Sequence, residues 1–323
     1  MARIVIVDEV PSLLLSLLRK RGHAVYYEPG MDAERLLELA YRRGIDVLVV
    51  RSRFKVKGRV LERLASAGLK VIARHGVGLD NIDIGLAERL GVKVVNAPGA
   101  STESVAELTV FLMIAAARRA KEAMRSLEEG VWARPLGVEI YGKRLAVVGF
   151  GRIGSRVAEI AVKAFNMDVH AYDVRDLSRE ARRIGVTLEP SLEKAIEGSD
   201  ILSLHVPLTR DTWHMIGQRE LDLLNTGAIV VNTARGGIID EEALLNALES
   251  GKLGAAALDV FEYEPPRSDV EKKLIKHPRV VATPHIGAQT REAQERVSRI
   301  LADNLERALG EAKTPVDARA WRA

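Results

Sequence analysis

The chain has 323 residues, 47% of them apolar and only 4% aromatic, with no cysteine; its 48 Lys and Arg against 44 Asp and Glu leave a net charge of +4. The missing cysteines exclude disulfides, thiolate catalysis and Cys-ligated zinc. The basic residues are interspersed with acids, which argues against nucleic-acid binding. The longest apolar run, Leu108 to Ala117, is far short of a membrane span, and the N-terminal stretch does not read as a signal peptide. The expectation is a soluble, cytoplasmic protein of about two domains at roughly 150 residues each.

In chain order, strand and helix patterns alternate through the first hundred residues. Strands are expected at Arg3–Asp8, His23–Tyr27, Asp46–Val50, Lys70–Ala73 and Val92–Asn96, and helices at Ser12–Arg21, Asp32–Arg43, Lys57–Ala67 and Ile82–Leu90. Such alternation predicts a parallel sheet covered on both faces. A long apolar helix is expected over Ser101–Arg119, with Ser101 and Ser104 as candidate caps; Ser104-Val105-Ala106-Glu107 fits a capping box. A charged helical patch then ends at Gly130, followed by an arm flanked by Trp132 and Tyr141. An arm of this kind serves as an oligomer contact or as a plain surface loop.

From Lys143 a second alternating pattern begins, with strands at Leu145–Val148, Asp168–Tyr172, Ile201–His205, Ala228–Asn232, Ala255–Asp259 and Val280–Thr283. Helices are expected near Ser191–Glu197, Gln218–Leu224 and Glu241–Ser250. The last helix, Thr290–Leu309, is expected to cross with the Ser101 helix between the domains and return the chain to the first one. The predicted class is α/β, with two doubly wound parallel-sheet domains and a cleft between them. A discontinuous substrate domain takes residues 1–98 plus 288–323, and a dinucleotide domain takes 99–287. The tail Thr314–Ala323 is expected to add no further domain.

The organising stretch is KRLAVVGFGRIGSRVAEIAVKAFNMDVHAYD, Lys143 to Asp173. Gly149, Gly151 and Gly154 stand in the G-x-G-x-x-G pattern. The first permits a tight turn, the second a close approach to a pyrophosphate, and the third close helix–strand packing. The helix that opens near Arg152 offers free N–H groups to an anion. Asp173, at the end of the next strand, can accept hydrogen bonds from an adenosine ribose. Its charge would repel a 2′-phosphate, which favours NAD over NADP. Strand before, helix after and acid beyond make up the context that the motif requires.

Four further stretches follow the carboxyl ends of strands in this sheet, where ligands of such folds bind: His205-Val206-Pro207-Leu208, Asn232-Thr233-Ala234-Arg235-Gly236-Gly237, Asp259 to Pro265, and Thr283-Pro284-His285-Ile286-Gly287. Hydride transfer from an alcohol to nicotinamide needs a base for the hydroxyl proton and a cation for the neighbouring carboxylate. His285 is a candidate base. Glu264 can hold its second nitrogen, and Arg235 supplies a planar fork for a carboxylate. Taken singly, Arg235 as a cap partner, Glu264 as a solvated acid and His285 as a strand-end cap are equally good readings; their convergence at one sheet edge favours chemistry. No metal is expected, since no ligand cluster is evident.

The whole chain resembles the D-2-hydroxyacid dehydrogenases, through VGFGRIG, NTARGGIIDEEAL, ALDVFEYEP and TPHIGAQTREA. The resemblance implies a flavodoxin-like substrate domain beside a Rossmann NAD domain, with Arg235, Glu264 and His285 as the catalytic group. It implies NAD contacts from Arg152 and Ile153 at the pyrophosphate, Asp173 at the ribose and Asp259 near the nicotinamide amide. His205, Val206, Pro207, Thr233, Ala234, Gly287 and Ala288 would line the same groove. Within the family, VRS at Val50–Ser52, ARHGVGLDNID at Ala73–Asp83 and NAPG at Asn96–Gly99 resemble the D-3-phosphoglycerate dehydrogenases. That likeness implies a substrate-binding set of Arg51, Ser52, Arg74, Gly76, Val77, Gly78 and Asn96, with Arg134 donated by a partner subunit of a homodimer or tetramer.

His75 departs from the alanine usual in that subfamily, and either tunes the phosphate site or faces solvent. No appended regulatory domain is expected. The activity implied is NAD-dependent oxidation of D-3-phosphoglycerate to 3-phosphohydroxypyruvate, the entry to serine synthesis, with domain closure over the acid. A glyoxylate or hydroxypyruvate reductase is the alternative. An NAD-sensing protein like the dehydrogenase-related corepressors is a third reading.

Overall fold

The structure, a computed structural model, describes residues 1–310; the tail Thr314–Ala323 lies outside the described residues. The chain divides into two compact units, Met1–Ser101 with the chain from Gln289 onward, and Thr102–Ala288.

In the first unit, β1 (Arg3–Ile6), β2 (Ala24–Tyr27), β3 (Val47–Val50), β4 (Val71–Arg74) and β5 (Lys93–Val95) alternate with α1 (Ser12–Lys20), α2 (Ala33–Arg43), α3 (Gly58–Ser66) and α4 (Ile84–Arg89). The strands form one sheet in the order β2-β1-β3-β4-β5, every pair parallel. This is the flavodoxin-like order, and its crossovers demand helices on both faces. Successive strand residues accordingly serve opposite cores. Ile4, Ile6, Val47, Val49, Val71 and Ala73 pack with Val297, Leu301 and Leu305 of the last helix, Arg291–Gly310. Val5, Leu48, Val50 and Ile72 pack with Leu36, Leu61 and Leu64 on the other face. Helix α2 begins where the sequence places it, because the Asp32 carboxylate accepts from Arg35 N at 2.9 Å.

The second unit opens with α5 (Thr102–Ala117) and α6 (Ala120–Glu128). It continues through β6 (Arg144–Val148), α7 (Arg152–Phe165), β7 (Asp168–Tyr172), α8 (Ser178–Ile184), β8 (Thr187–Leu188), α9 (Leu192–Ile196), β9 (Ile201–Leu204), α10 (Gln218–Leu223), β10 (Ala228–Asn232), α11 (Glu241–Glu249), β11 (Leu253–Leu258), α12 (Asp269–Lys276) and β12 (Val280–Ala282). The strand order is β12-β11-β10-β9-β6-β7-β8, again parallel throughout. The order reverses between β6 and β9, and a doubly wound sheet takes its ligand at that switch. Helix α7 buries Gly154, Val157, Ala158 and Ala161, the helical spacing of one face turned to the sheet.

Three local readings change. Ser104 does not cap α5: it lies within the helix, buried, and its Oγ donates to the Gly287 carbonyl oxygen at 2.6 Å. The elements α8, β8 and α12 add to those expected. His75 does not face solvent. It is 1% exposed, its Nε2 lies 3.1 Å from Ser298 Oγ, and burial with Arg51 and Arg74 nearby holds its pKa down at about 3, so the ring is neutral.

Candidate active site

Residues at the carboxyl ends of the second sheet are drawn together by turns whose geometry the small residues permit. After β6 the chain turns at Gly149, where φ is +92° and a Cβ would stand 2.7 Å from the His205 backbone. A Cβ on Gly154 would lie 2.0 Å from the Gly149 carbonyl oxygen. Both glycines are therefore required by packing within the protein. Gly151 differs: a Cβ there would meet nothing closer than an Arg175 nitrogen at 3.6 Å. It is the N-cap of α7, and no side chain caps the helix. The turn thus presents bare backbone and uncapped N–H groups, beginning at Arg152 and Ile153, to the space where a pyrophosphate would lie. The residues present fit a dinucleotide.

Asp173 follows β7. Its Oδ2 accepts from Phe150 N at 2.8 Å, and Arg175 donates to its two oxygens from Nε and Nη2 at 3.0 and 3.2 Å. Burial pushes this carboxyl up, but the Arg175 bonds outweigh it and hold the pKa below the usual carboxylate range. Arg175 is a partner that sequence reading missed; its place two residues beyond Asp173 was the available signal.

After β9, His205 places Nε2 2.8 Å from Ser203 Oγ. Burial lowers its pKa to about 3, so it is a neutral wall of the turn, followed by Val206 and Pro207. After β10, Asn232 braces the next turn at both ends: its Oδ1 accepts from Ala234 N at 3.0 Å and its Nδ2 donates to the Arg235 carbonyl oxygen at 2.8 Å. Thr233 Oγ1 meets Thr109 Oγ1 at 2.7 Å. A Cβ on Gly236 would lie 1.9 Å from the Phe261 carbonyl oxygen. The turn carrying Arg235 therefore lies directly against the segment that leads to Glu264.

That segment is held by two buried carboxylates. Glu241 accepts from Glu262 N at 2.9 Å, and Glu271 accepts from Tyr263 N at 2.7 Å and Arg267 N at 2.8 Å. Burial and the neighbouring acids Glu271, Glu262 and Asp240 raise Glu241 to about 7. Glu264 Oε2 lies 2.7 Å from His285 Nδ1. With Nδ1–H donating to Glu264, His285 Nε2 keeps its lone pair. His285 has φ +52°, an uncommon conformation for a residue with a side chain. It is imposed from behind by Asp259, whose carboxylate accepts from Thr283 Oγ1 (2.6 Å), Ile286 N (2.8 Å) and Gly287 N (2.8 Å). Burial raises the Asp259 carboxyl, and its donors only partly offset that. Asp259, expected near the nicotinamide amide, accepts three bonds from this turn. Ala288 follows that turn.

The predicted substrate residues stand at the carboxyl ends of β3, β4 and β5 in the first unit. Buried Asp8 accepts from Arg51 N at 2.6 Å, and Asn81 Nδ2 donates to the Arg51 and Phe54 carbonyl oxygens at 2.8 and 2.7 Å. Arg51 and Ser52 are thereby carried on a rigid turn. Arg74 ends β4, and its Nη1 donates to the His75 carbonyl oxygen at 2.6 Å. Gly76, Val77 and Gly78 follow, and Asn96 Nδ2 donates to the Val77 carbonyl oxygen at 2.6 Å. Arg134 is exposed on the arm after α6. No helix among the described residues is long and apolar enough to cross a membrane.

Comparisons with known proteins agree with this geometry. Residues 110–287 match the family model "D-isomer specific 2-hydroxyacid dehydrogenase, NAD binding domain". The chain is 45% identical to D-3-phosphoglycerate dehydrogenase of Methanocaldococcus jannaschii over 96% of its own length and 58% of that protein. It is 48% identical to hydroxypyruvate reductase of Thermotoga maritima, over 82% of this chain and 85% of that one. It thus spans a little over half the length of the phosphoglycerate dehydrogenase relative. A solved glyoxylate reductase from Paecilomyes thermophila superposes with a TM-score of 0.85 at 28% identity, covering 99% of each chain. The chain belongs to the D-isomer specific 2-hydroxyacid dehydrogenase family, and residues 110–287 are its NAD-binding domain.

Proposed function

We propose that this chain oxidises D-3-phosphoglycerate to 3-phosphohydroxypyruvate, with NAD as the acceptor. The observation that carries the chemistry is the 2.7 Å contact between Glu264 and His285 Nδ1, beside the turn that bears Arg235. Glu264 fixes the imidazole tautomer, and His285 Nε2 receives the proton of the substrate hydroxyl. Arg235 takes the substrate carboxylate in its guanidinium fork and draws charge towards the neighbouring oxygen. When bound, nicotinamide supplies the site that accepts the hydride from the same carbon. The Gly149–Gly154 turn and the N-terminus of α7 would hold the pyrophosphate, and Asp173 the ribose. His205, Val206, Pro207, Thr233, Ala234, Gly287 and Ala288 would line the groove.

The phosphorylated substrate is supported by Arg51 and Arg74, which share one sheet edge with Asn96 and the Gly76–Gly78 turn, on turns built to hold them in place. A simple hydroxyacid would need only the Arg235 cation. The likeness to the Thermotoga hydroxypyruvate reductase, along 85% of its length, supports a second reading with a smaller acid. Initial rates decide between them. Phosphoglycerate should turn over, and Arg51→Ala or Arg74→Ala should cost it about 10²-fold in kcat/KM, at 1.5–3 kcal/mol per charge-assisted contact, while glyoxylate loses far less. No turnover of phosphoglycerate beside fast turnover of glyoxylate would favour the smaller acid.

Self-association belongs to the same proposal. Phe111, Met124, Leu127, Trp132, Leu136 and Tyr141 are large and exposed on α5, α6 and the arm, more apolar surface than an isolated unit commonly leaves bare. A homodimer would cover it and would bring Arg134 to a neighbouring subunit. Light scattering of the intact chain tests this; a monomer at micromolar concentration would refute it.

A further inference from the structure

We propose that Arg175 makes the adenosine end of the glycine-turn site accept a ribose 2′-phosphate, so that the chain binds NADP as well as NAD. The inference rests on the nucleotide reading of the Gly149–Gly154 turn. The acid after β7, taken alone, repels a 2′-phosphate, but here it does not stand alone. Asp173 Oδ1 accepts from Arg175 N and Nε, both at 3.0 Å. Its Oδ2 accepts from Phe150 N at 2.8 Å and Arg175 Nη2 at 3.2 Å. A carboxylate offers about four lone-pair sites, and these bonds occupy them. Ribose hydroxyls can reach the acid only after displacing the guanidinium. The charge that would reject a phosphate is already paired with a cation of equal size.

The position of that cation supplies the second part of the argument. Arg175 Nη2 lies 3.6 Å from where a Cβ on Gly151 would stand, so the guanidinium sits beside the bare glycine of the turn, on the side open to a ligand. Its side chain is 43% exposed, against 8% for Asp173. The acid is the buried, fixed member of the pair, and the arginine is the accessible one. Arginine has five donors in a rigid fork. Nε and Nη2 bond to Asp173, and the remaining hydrogens can meet an oxyanion in the geometry that phosphate prefers. The subsite therefore offers two faces. An unphosphorylated ribose takes Asp173 and sets Arg175 aside, whereas a phosphorylated one takes Arg175 and leaves the ion pair in place.

The test needs no substrate and no turnover. The intact chain is titrated calorimetrically with 2′,5′-ADP and with 5′-AMP, which differ only in the 2′-phosphate. Wild type is compared with Arg175→Ala, Arg175→Lys and Asp173→Asn. In Arg175→Ala the preference for 2′,5′-ADP over 5′-AMP should fall about tenfold, the low end for a charge-assisted contact that solvent partly screens. Arg175→Lys should restore part of it. Asp173→Asn should raise the preference, because it frees the guanidinium and removes the charge. Absence of 2′,5′-ADP binding to wild type beside clear 5′-AMP binding would overturn the inference alone. An unchanged preference in Arg175→Ala would overturn it too. Failure of both nucleotides to bind would overturn it together with the nucleotide reading of the turn.

Discussion

Asp259→Asn separates a scaffold role from a cofactor role at the most informative acid of the site. The amide keeps the carboxylate's shape. Its oxygen can still accept from Thr283 Oγ1 and Ile286 N, but its NH₂ then faces Gly287 N–H, now 2.8 Å from Oδ2. One charge-assisted bond is lost, worth about 1.5–3 kcal/mol, and a buried donor is orphaned at a cost of about 1–3 kcal/mol. Against this, the charge is itself disfavoured, because burial pushes the Asp259 carboxyl upward, and a neutral amide recovers that penalty. The net loss is about 2 kcal/mol, which lowers the melting midpoint of a unit this size by about 4–8 °C. The functional effect should be larger. His285 is held at φ +52°, a conformation that persists only where the surroundings over-determine it. A loosened turn would displace Nε2 by a fraction of an ångström to an ångström, worth about 10²-fold in kcat, while NAD binds nearly as before. Differential scanning calorimetry, NADH titration by fluorescence and initial rates read the three quantities. Weakened NAD binding at unchanged kcat and stability would refute the scaffold argument and return Asp259 to the nicotinamide amide.

Three other substitutions probe separate parts of the site. His285→Asn should lower kcat by about 10²–10⁴-fold and leave NADH binding nearly intact; loss of binding would show that the histidine supports the cofactor instead. Gly154→Ala should destabilise the second unit, since its Cβ would lie 2.0 Å from a backbone oxygen. Gly151→Ala has 3.6 Å of room, so it should fold normally and bind NADH more weakly, a contrast that thermal melts and titrations resolve. Burial raises the Glu241 carboxyl from its ordinary 4.5 to about 7, so the folded state holds a proton that the unfolded state releases. Stability contributed there falls as pH rises from about 4.5 to 7 and is flat above. Glu241→Gln should therefore gain stability relative to wild type between pH 5 and pH 8; melting curves with a pH-independent difference would contradict this.

Much of the architecture is legible because parallel strands buried on both faces are near-continuous apolar runs. RIVI at β1, VLVV at β3, AIVVN at β10 and LGAAAL at β11 cannot be mistaken for turns. Each is followed by polar and small residues that mark the carboxyl edge. Arg235, Glu264 and His285 stand at such edges in the sequence. The elements α8, β8 and α12 escaped it, and so did everything that depends on which way a side chain turns. The capping-box pattern at Ser104 is genuine as a pattern, but the helix begins earlier and the hydroxyl is drawn to Gly287 instead. His75 sits beside the arginines in sequence, yet a strand alternates its faces, so it enters the core while Arg74 ends the strand at the edge.

The two strand-end acids show why motif position alone does not assign a role. Asp173 and Asp259 follow β7 and β11 of one parallel sheet, at the edge where ligands bind; Asp173 accepts four hydrogen bonds and Asp259 three. What separates them is how readily those donors can be exchanged. Asp259 is bonded to two backbone amides and a threonine hydroxyl of the turn that carries His285. Releasing them would unmake the turn. Asp173 takes two bonds from backbone amides and two from an accessible arginine side chain, and the side chain can leave it at the cost of a partly screened ion pair, about 0.2–1 kcal/mol. A ribose hydroxyl pair can meet that cost. The acid with exchangeable donors is suited to read a ribose, and the other to hold the turn that bears His285.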